Sequence, residues 1–209
     1  MKIGGCVLHH LVVAGTLLSL CGLVEAGEAD VTYSFGDYFD LRIPADPDAS
    51  KGWMDDAVID VPQHLTIADV DVTVSITHTN AFDLRLFLES PSGTIVLLNE
   101  SDPFGGFYQG ADYSSTTFDD EAATPIEEGE PPFAGRFRPL EGQSLASFDG
   151  QDAYGSWKLQ VYDAFAGDTG SFDSFTLTFA IPEPATVAFL VLGLGLAGLP
   201  LHHRSRRRP

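Results

Sequence analysis

The sequence holds only two cysteines in 209 residues, Cys6 and Cys21, and both lie within the first 26. A cysteine-rich disulfide scaffold is therefore excluded. Positive charge is scarce as well: 11 Lys and Arg stand against 30 Asp and Glu, a formal net charge of −19. A chain so acidic repels phosphate backbones, which argues against nucleic acid as a partner. Of six histidines, only His64 and His78 fall between residues 27 and 181. No stretch of that body sustains a helical period for a dozen residues. It also lacks the Gly-x-Ser-x-Gly turn that presents a hydrolase nucleophile, the EF-hand spacing and any Gly-rich calcium repeat. Apolar material is not lacking. With 44% hydrophobic and 11% aromatic residues, the chain can bury a core, which argues against disorder.

Much of that apolar material sits at the two ends. Met1-Lys2 gives a short positive start, Leu11 to Leu23 is mostly apolar, and Val24-Glu25-Ala26 offers small residues at a cleavage spacing. Residues 1–26 read as a signal peptide cut after Ala26. The other reading, a buried first helix, lacks a partner, because an acidic segment follows at once. Leu20 is too large for the small residue that precedes a lipidated cysteine, so Cys21 is not read as a lipid anchor. Both cysteines leave with the signal, as suits an exported bacterial protein. At the far end, Ile181-Pro182-Glu183-Pro184 is stiff and helix-breaking. Residues 185–201 follow without a charge and, as a helix, reach about 25 Å, just short of a ~30 Å hydrocarbon core. Arg204, Arg206, Arg207 and Arg208 then form a basic flank that stays on the cytoplasmic side.

Without its ends the chain is more acidic, not less. Residues 27–181 carry 28 acids and six bases, a net charge of −22. This body reads as strands and turns. Val70, Val72, Val74 and Ile76 alternate with Asp71, Thr73, Ser75 and Thr77, the pattern of a half-buried strand. Leu84, Leu86 and Leu88 alternate likewise, Pro91-Ser92-Gly93 turns the chain, and Thr94 to Leu98 returns. Trp157, Leu159 and Val161 mark another strand, and Phe172, Phe175, Leu177 and Phe179 the last. Ser101 to Pro139, rich in Gly, Pro, Asp and Glu, reads as long loops over the sandwich, with Phe104, Phe107, Tyr108, Tyr113 and Phe118 arguing against full disorder. Short strands with regular turn signals predict an all-β sandwich.

Two resemblances follow from these residues. Pro182-Glu183-Pro184, the span bearing Gly193, Gly195 and Gly198, and the terminal arginines resemble the PEP-CTERM sorting signal of exported bacterial proteins. Pro200 near the end of the span is a small departure; the alternative, an ordinary tail anchor, would not need the Pro-Glu-Pro entry. The resemblance implies a membrane-tethered precursor, recognition by an exosortase-type protease and removal of the tail. The body resembles the P domain, or homo B domain, of kexin-like proprotein convertases. The ordered runs are Val74-Ser75-Ile76-Thr77-His78-Thr79, Asp83-Leu84-Arg85-Leu86, Ser90-Pro91-Ser92-Gly93-Thr94, Thr117-Phe118-Asp119-Asp120-Glu121-Ala122 and Pro132-Phe133-Ala134-Gly135. Phe148-Asp149-Gly150-Gln151-Asp152-Ala153, Gly155-Ser156-Trp157-Lys158-Leu159 and Asp168-Thr169-Gly170-Ser171-Phe172 complete the set. The resemblance covers residues 57–180 and implies a jelly-roll β-sandwich of about eight strands, flanked by the signal peptide and, at residues 181–209, the transmembrane sorting helix and its basic tail. Residues 27–56 read as an N-terminal strand and loop.

The resemblance brings no catalytic machinery, since the protease of those enzymes is a separate domain. His78, Asp83 and Ser90 lie close in sequence, but alternation gives no reason for them to converge as a triad. The plainer reading is that His78 ends a strand and hydrogen-bonds neighbouring threonines. A carboxylate pair of glycosidase type arises by chance among 28 acids and carries little weight. Calcium is the sharper expectation, because hard cations need several oxygen ligands on loops. Asp83, Asp119, Asp120, Glu121, Asp163 and Asp168 are the candidates; a solvated acidic surface, or carboxylates that merely cap turns, are the alternatives. The expected function is an exported, non-catalytic binding or structural module. It is sorted to the cell surface or matrix of a Gram-negative-type bacterium and binds surface polysaccharide or another protein. The alternative is an accessory domain that stabilises or regulates a separate exported subtilisin-like peptidase.

Overall fold

The computed structural model describes residues 31–101 and 109–182. Residues 1–26, expected to be a signal peptide, Glu183, Pro184, residues 185–201, expected to span a membrane, and the terminal arginines lie outside these residues, as do Phe104, Phe107 and Tyr108. Among the described residues no helix is long and apolar enough to cross a membrane. Ten strands run in chain order: β1 (Val31–Ile43), β2 (Gly52–Trp53), β3 (Ala57–Val61), β4 (Asp69–His78), β5 (Leu84–Glu89), β6 (Ile95–Asn99), β7 (Tyr113–Phe118), β8 (Phe133–Phe137), β9 (Gly155–Asp163) and β10 (Gly170–Ile181). They form two five-stranded sheets. One has the order β1-β10-β4-β7-β8; the other has the order β2-β9-β5-β6, with β3 also pairing to β9. The β7–β8 pair is parallel, and the other ladders are antiparallel.

Alternation decides which side chains meet. Val70, Val72, Val74 and Ile76 of β4 are buried, as are Phe172, Phe175, Leu177 and Phe179 of β10. From the other sheet Leu84, Leu86, Leu88, Trp157, Leu159 and Val161 close on them in one core. Trp157 of β9 lies 5.3 Å from the Phe179 ring across the sandwich, and its Nε1 donates to the Ala153 carbonyl at 2.8 Å. The core thus gains a large apolar surface without leaving the indole N–H unsatisfied. The apolar spacing in β10 jumps from Phe172 to Phe175 because the register against β4 shifts between Phe172 and Ser174. This bulge places an extra residue, Asp173, outside the ladder, and its carboxylate accepts from Thr77 Oγ1 and Ser171 Oγ.

Two expectations need correction. Among the described residues the strands number ten rather than about eight; β2 has two residues and β8 five, too short to carry an alternation signal. Ser101 to Pro139 is not all loop, for it holds both β7 and β8. Its pattern was masked because small and polar residues occupy most of both strands. In β7 the inward set is Tyr113, Thr116 and Phe118, and in β8 only Phe133 and Phe137 are buried. Thr116 is fully buried and donates to the Phe133 carbonyl, so a polar residue serves as core there.

Candidate functional site

The six carboxylates expected to bind metal fall into two groups. The first sits where both sheets end. His78 closes β4 opposite Gly170, and Asp163 closes β9 opposite Leu84. A short 3-10 turn, Ala81–Asp83, links the sheets and sets Asp83 immediately before β5. Asp168 follows on the loop between β9 and β10, where its Oδ1 accepts from Thr79 Oγ1 at 2.7 Å. Register therefore brings together residues some 80 positions apart. His78, Asn80, Asp83 and Asp163 are 1%, 6%, 2% and 0% exposed, so this end of the fold buries charge.

The bonds within this group are incomplete. Asn80 Nδ2 donates to Asp83 Oδ1 at 2.8 Å, and His78 Nδ1 lies 2.8 Å from the Asn80 carbonyl. The Phe165 N–H donates to Asp163 Oδ1 at 3.2 Å. Asp163 Oδ2, Asn80 Oδ1 and His78 Nε2 are buried without a hydrogen-bond partner; the Nε2 to Oδ2 separation is 3.7 Å. Burial first, and then the charges of Asp168 and Asp163, push the Asp83 carboxyl up to about 6 against an opposing pull from His78. The reading of His78 as a partner of threonines is corrected: its ring faces Asn80 and Asp163, and it is Thr79 that bonds Asp168.

The second group, Asp119, Asp120 and Glu121, follows β7 and is already occupied. Arg136 of β8 donates from Nε to Asp119 Oδ2 at 2.7 Å and from Nη2 to Asp71 Oδ2 at 2.8 Å. The Glu121 N–H donates to Asp119 Oδ1 at 2.8 Å. Burial raises the Asp119 pKa, but the Arg136 bond and the Glu121 N–H outweigh it and hold this carboxyl below its ordinary value. At Asp71 the balance is reversed: burial wins over Arg136 and the carboxyl is raised, with one oxygen left unpartnered. Asp120 accepts from Ser144 Oγ at 2.6 Å and from the N–H groups of Leu145 and Ala146 at 3.0 and 2.9 Å. It fastens the 3-10 turn Leu145–Phe148, whose Leu145 and Phe148 are buried. These carboxylates pair and cap, so they form no common site with Asp83, Asp163 and Asp168. Among the described residues no three His, Cys, Asp or Glu side chains are grouped, as they lie, so as to hold a metal ion.

No triad is assembled either. Asp83 precedes β5 and Ser90 follows it, so the six-residue strand separates them by about 20 Å. Ser90 Oγ donates to Gln151 Oε1 at 3.0 Å, at the opposite end of the strand from His78. Sequence reasoning missed Asn80 and His78 as members of the acidic group. Their nearness to Asp83 in sequence was the available signal.

A two-sheet fold with these ends and turns defines a small β-sandwich module, and the comparisons place it. The family model for the proprotein convertase P-domain matches residues 67–179, more than half the chain, and a PEP-CTERM protein-sorting motif matches residues 180–208. The chain belongs to the P-domain family and carries a PEP-CTERM tail. Modules of this family are non-catalytic structural or binding units. PEP-CTERM motifs mark bacterial proteins for surface or extracellular sorting and imply an exosortase-type sorting partner. The chain is 31% identical over 108 residues to a transglutaminase-activating metalloprotease of Streptomyces mobaraensis; the match covers 52% of this chain and 10% of that protein. It also resembles the serine protease of Aeromonas sobria at 19% identity, in complex with its chaperone and alone, with TM-scores of 0.43 and 0.42. Those matches cover 74% and 72% of this chain but only 28% and 27% of the protease chain, and at such scores the likeness is loose.

Proposed function

We propose that this protein is an exported accessory module that docks on a separate exported peptidase and stabilises or regulates it. The observation that carries the reading is membership of the proprotein convertase P-domain family across residues 67–179. The metalloprotease relative, of which this chain covers a tenth, supports it, because there too the matching segment is part of a peptidase. A surface suited to a protein partner accompanies it. Trp53 is 51% exposed and packs against Tyr162 and Phe87 with ring centroids 4.9 and 5.5 Å away. The Arg85 guanidinium lies 5.9 Å above the Tyr162 ring and pairs with Glu100. Aromatic residues and arginine, held rigid by one another, are what protein interfaces favour at their centres.

The same proposal includes the jelly-roll reading of the sandwich, the signal peptide at 1–26 and the membrane span at 185–201. It also includes a precursor tethered in the inner membrane of a Gram-negative-type cell until an exosortase removes the tail. The test is recovery of the tagged full chain from the exported fraction of its own cells. A peptidase bound one to one, and lost with a Trp53→Ala, Tyr162→Ala double variant, is the expected result. Retention on the cell's own polysaccharide with no peptidase bound would overturn the reading in favour of an adhesive module.

A further inference from the structure

Asp83, Asp163 and Asp168 present three carboxylates at one end of the sandwich, and two of them are buried. Among the described residues the ion-pair contact that any of them makes is with His78, whose Nε2 lies 3.7 Å from Asp163 Oδ2. Arg85 pairs with Glu100, Arg136 with Asp71 and Asp119, and Lys158 with Glu89, and among the described residues neither Arg42, Lys51 nor Arg138 makes an ion pair with the three carboxylates. Two buried oxygens, Asp163 Oδ2 and Asn80 Oδ1, have no donor. A buried oxygen without a donor is costly, and a buried unpaired carboxylate more so. A trapped water could donate to both oxygens but would leave the negative charge in place. A divalent cation answers both demands at once.

We propose that this end of the fold is a calcium site, built by Asp163, Asp83 and Asp168 with the Asn80 side-chain carbonyl. The donor set is all oxygen, as hard cations require. It combines carboxylates on a strand end, a 3-10 turn and a loop with one neutral amide, which suits the irregular geometry that Ca²⁺ tolerates and Mg²⁺ does not. As the side chains lie, no three acidic groups enclose an ion. Binding must draw Asp163 and Asp83 together, and since they end β9 and precede β5, it would fasten the two strands. Asn80 Nδ2 already holds Asp83, so the amide is oriented with its oxygen free. The reading is independent of the peptidase, because its test needs no partner.

The experiment is a thermal melt and a calorimetric titration of the full chain in mild detergent, with Ca²⁺ as the added ligand. At a hundredfold excess over the dissociation constant, Tm should rise by on the order of 5–10 °C over the chelated protein. Asp168→Asn, on the half-buried loop residue, should weaken binding at least tenfold without unfolding the chain, and Asp163→Asn should abolish the shift. Asp120→Asn, in the other acidic group, should leave it intact. Equal Tm in Ca²⁺ and chelator would overturn the proposal. So would a shift that survives Asp163→Asn, or one that Mg²⁺ produces equally.

Discussion

The six carboxylates that the sequence offers alike as calcium candidates fall into two groups, and the fold treats the groups as opposites. Asp119 and Asp120 meet an arginine, a serine hydroxyl and three backbone N–H groups. Asp83 and Asp163 meet one amide, one backbone N–H and a histidine at the edge of contact. Both groups stand at strand ends, and both contain residues almost wholly buried. The difference lies in what the adjoining strand supplies. β8 lies parallel beside β7 and brings Arg136 level with Thr117, two residues before Asp119. Beside Asp163, β5 carries Arg85, but that base pairs with Glu100 instead. Acidic clustering in a sequence is therefore not a ligand signal by itself; the signal is acidity that the fold leaves unanswered.

The largest expected effect comes from the scaffold of the unanswered group. Gly170 faces His78 across the β4–β10 ladder, and a Cβ there would stand 2.1 Å from the Thr77 carbonyl oxygen and 2.8 Å from His78 Cα. Backbone cannot yield as a side chain can. Gly170→Ala should cost about 3 kcal/mol and loosen the whole cluster, as read by chemical denaturation. Wild-type stability in that variant would mean that the two strands are not pinned at this point.

Next come two substitutions of opposite sign. In chelator, Asp163→Asn should stabilise the chain by about 1 kcal/mol, because an amide keeps the acceptor for Phe165 N–H and removes an unpaired buried charge. Asp119→Asn should destabilise it by about 1 kcal/mol, since Arg136 loses its charged acceptor. Arg136 is 55% exposed, and that solvent screening keeps the loss at the low end. If both variants shift the denaturation midpoint in the same direction, the distinction between the groups fails. A loss of similar size, about 1 kcal/mol, is expected for Asp120→Ala, which frees the turn carrying Leu145 and Phe148.

How much of this was legible in the sequence follows from its physical scale. Alternation over a few residues is local, so the buried sets of β4, β5 and β9 were readable from their valines and leucines. The jump from Phe172 to Phe175 was readable as a spacing but not as a bulge, because only pairing with β4 shows that Asp173 is extra. β7 and β8 escaped because serine, threonine and glycine fill positions where a strand ordinarily shows apolar side chains. The grouping of Asp83 with Asp163 and Asp168 depends on which strands end together, and no local pattern encodes that. Of the six candidate carboxylates, Asp83, Asp163 and Asp168 fall at one end of the sandwich and the other three elsewhere, and only the partners of each one separate the two groups.

The smallest expected effect is a change in the acid limb of stability, and its sign follows from which carboxyls are held down. Asp119 is held below the ordinary value of 3.8, so its pairing contributes stability above that pH and loses it as the pH falls through the depressed folded value. Asp69, Asp71 and Asp149 are raised, chiefly by burial, so they act in the opposite sense: protonation suits the folded state, and stability returns as pH falls toward 3.8. Going down in pH, the region around Arg136 should gain slightly before it loses. Asp119→Asn removes the losing component, together with the raise that Asp119 imposes on the neighbouring Glu121 carboxyl. The variant's stability curve should therefore converge on the wild type below pH 4, after lying beneath it at neutral pH, by an amount under ~1 kcal/mol for a pair this exposed. Curves that stay parallel down to pH 2 would show that Asp119 is not held by Arg136 at all. The answered group would then differ from the unanswered one only in its backbone bonds.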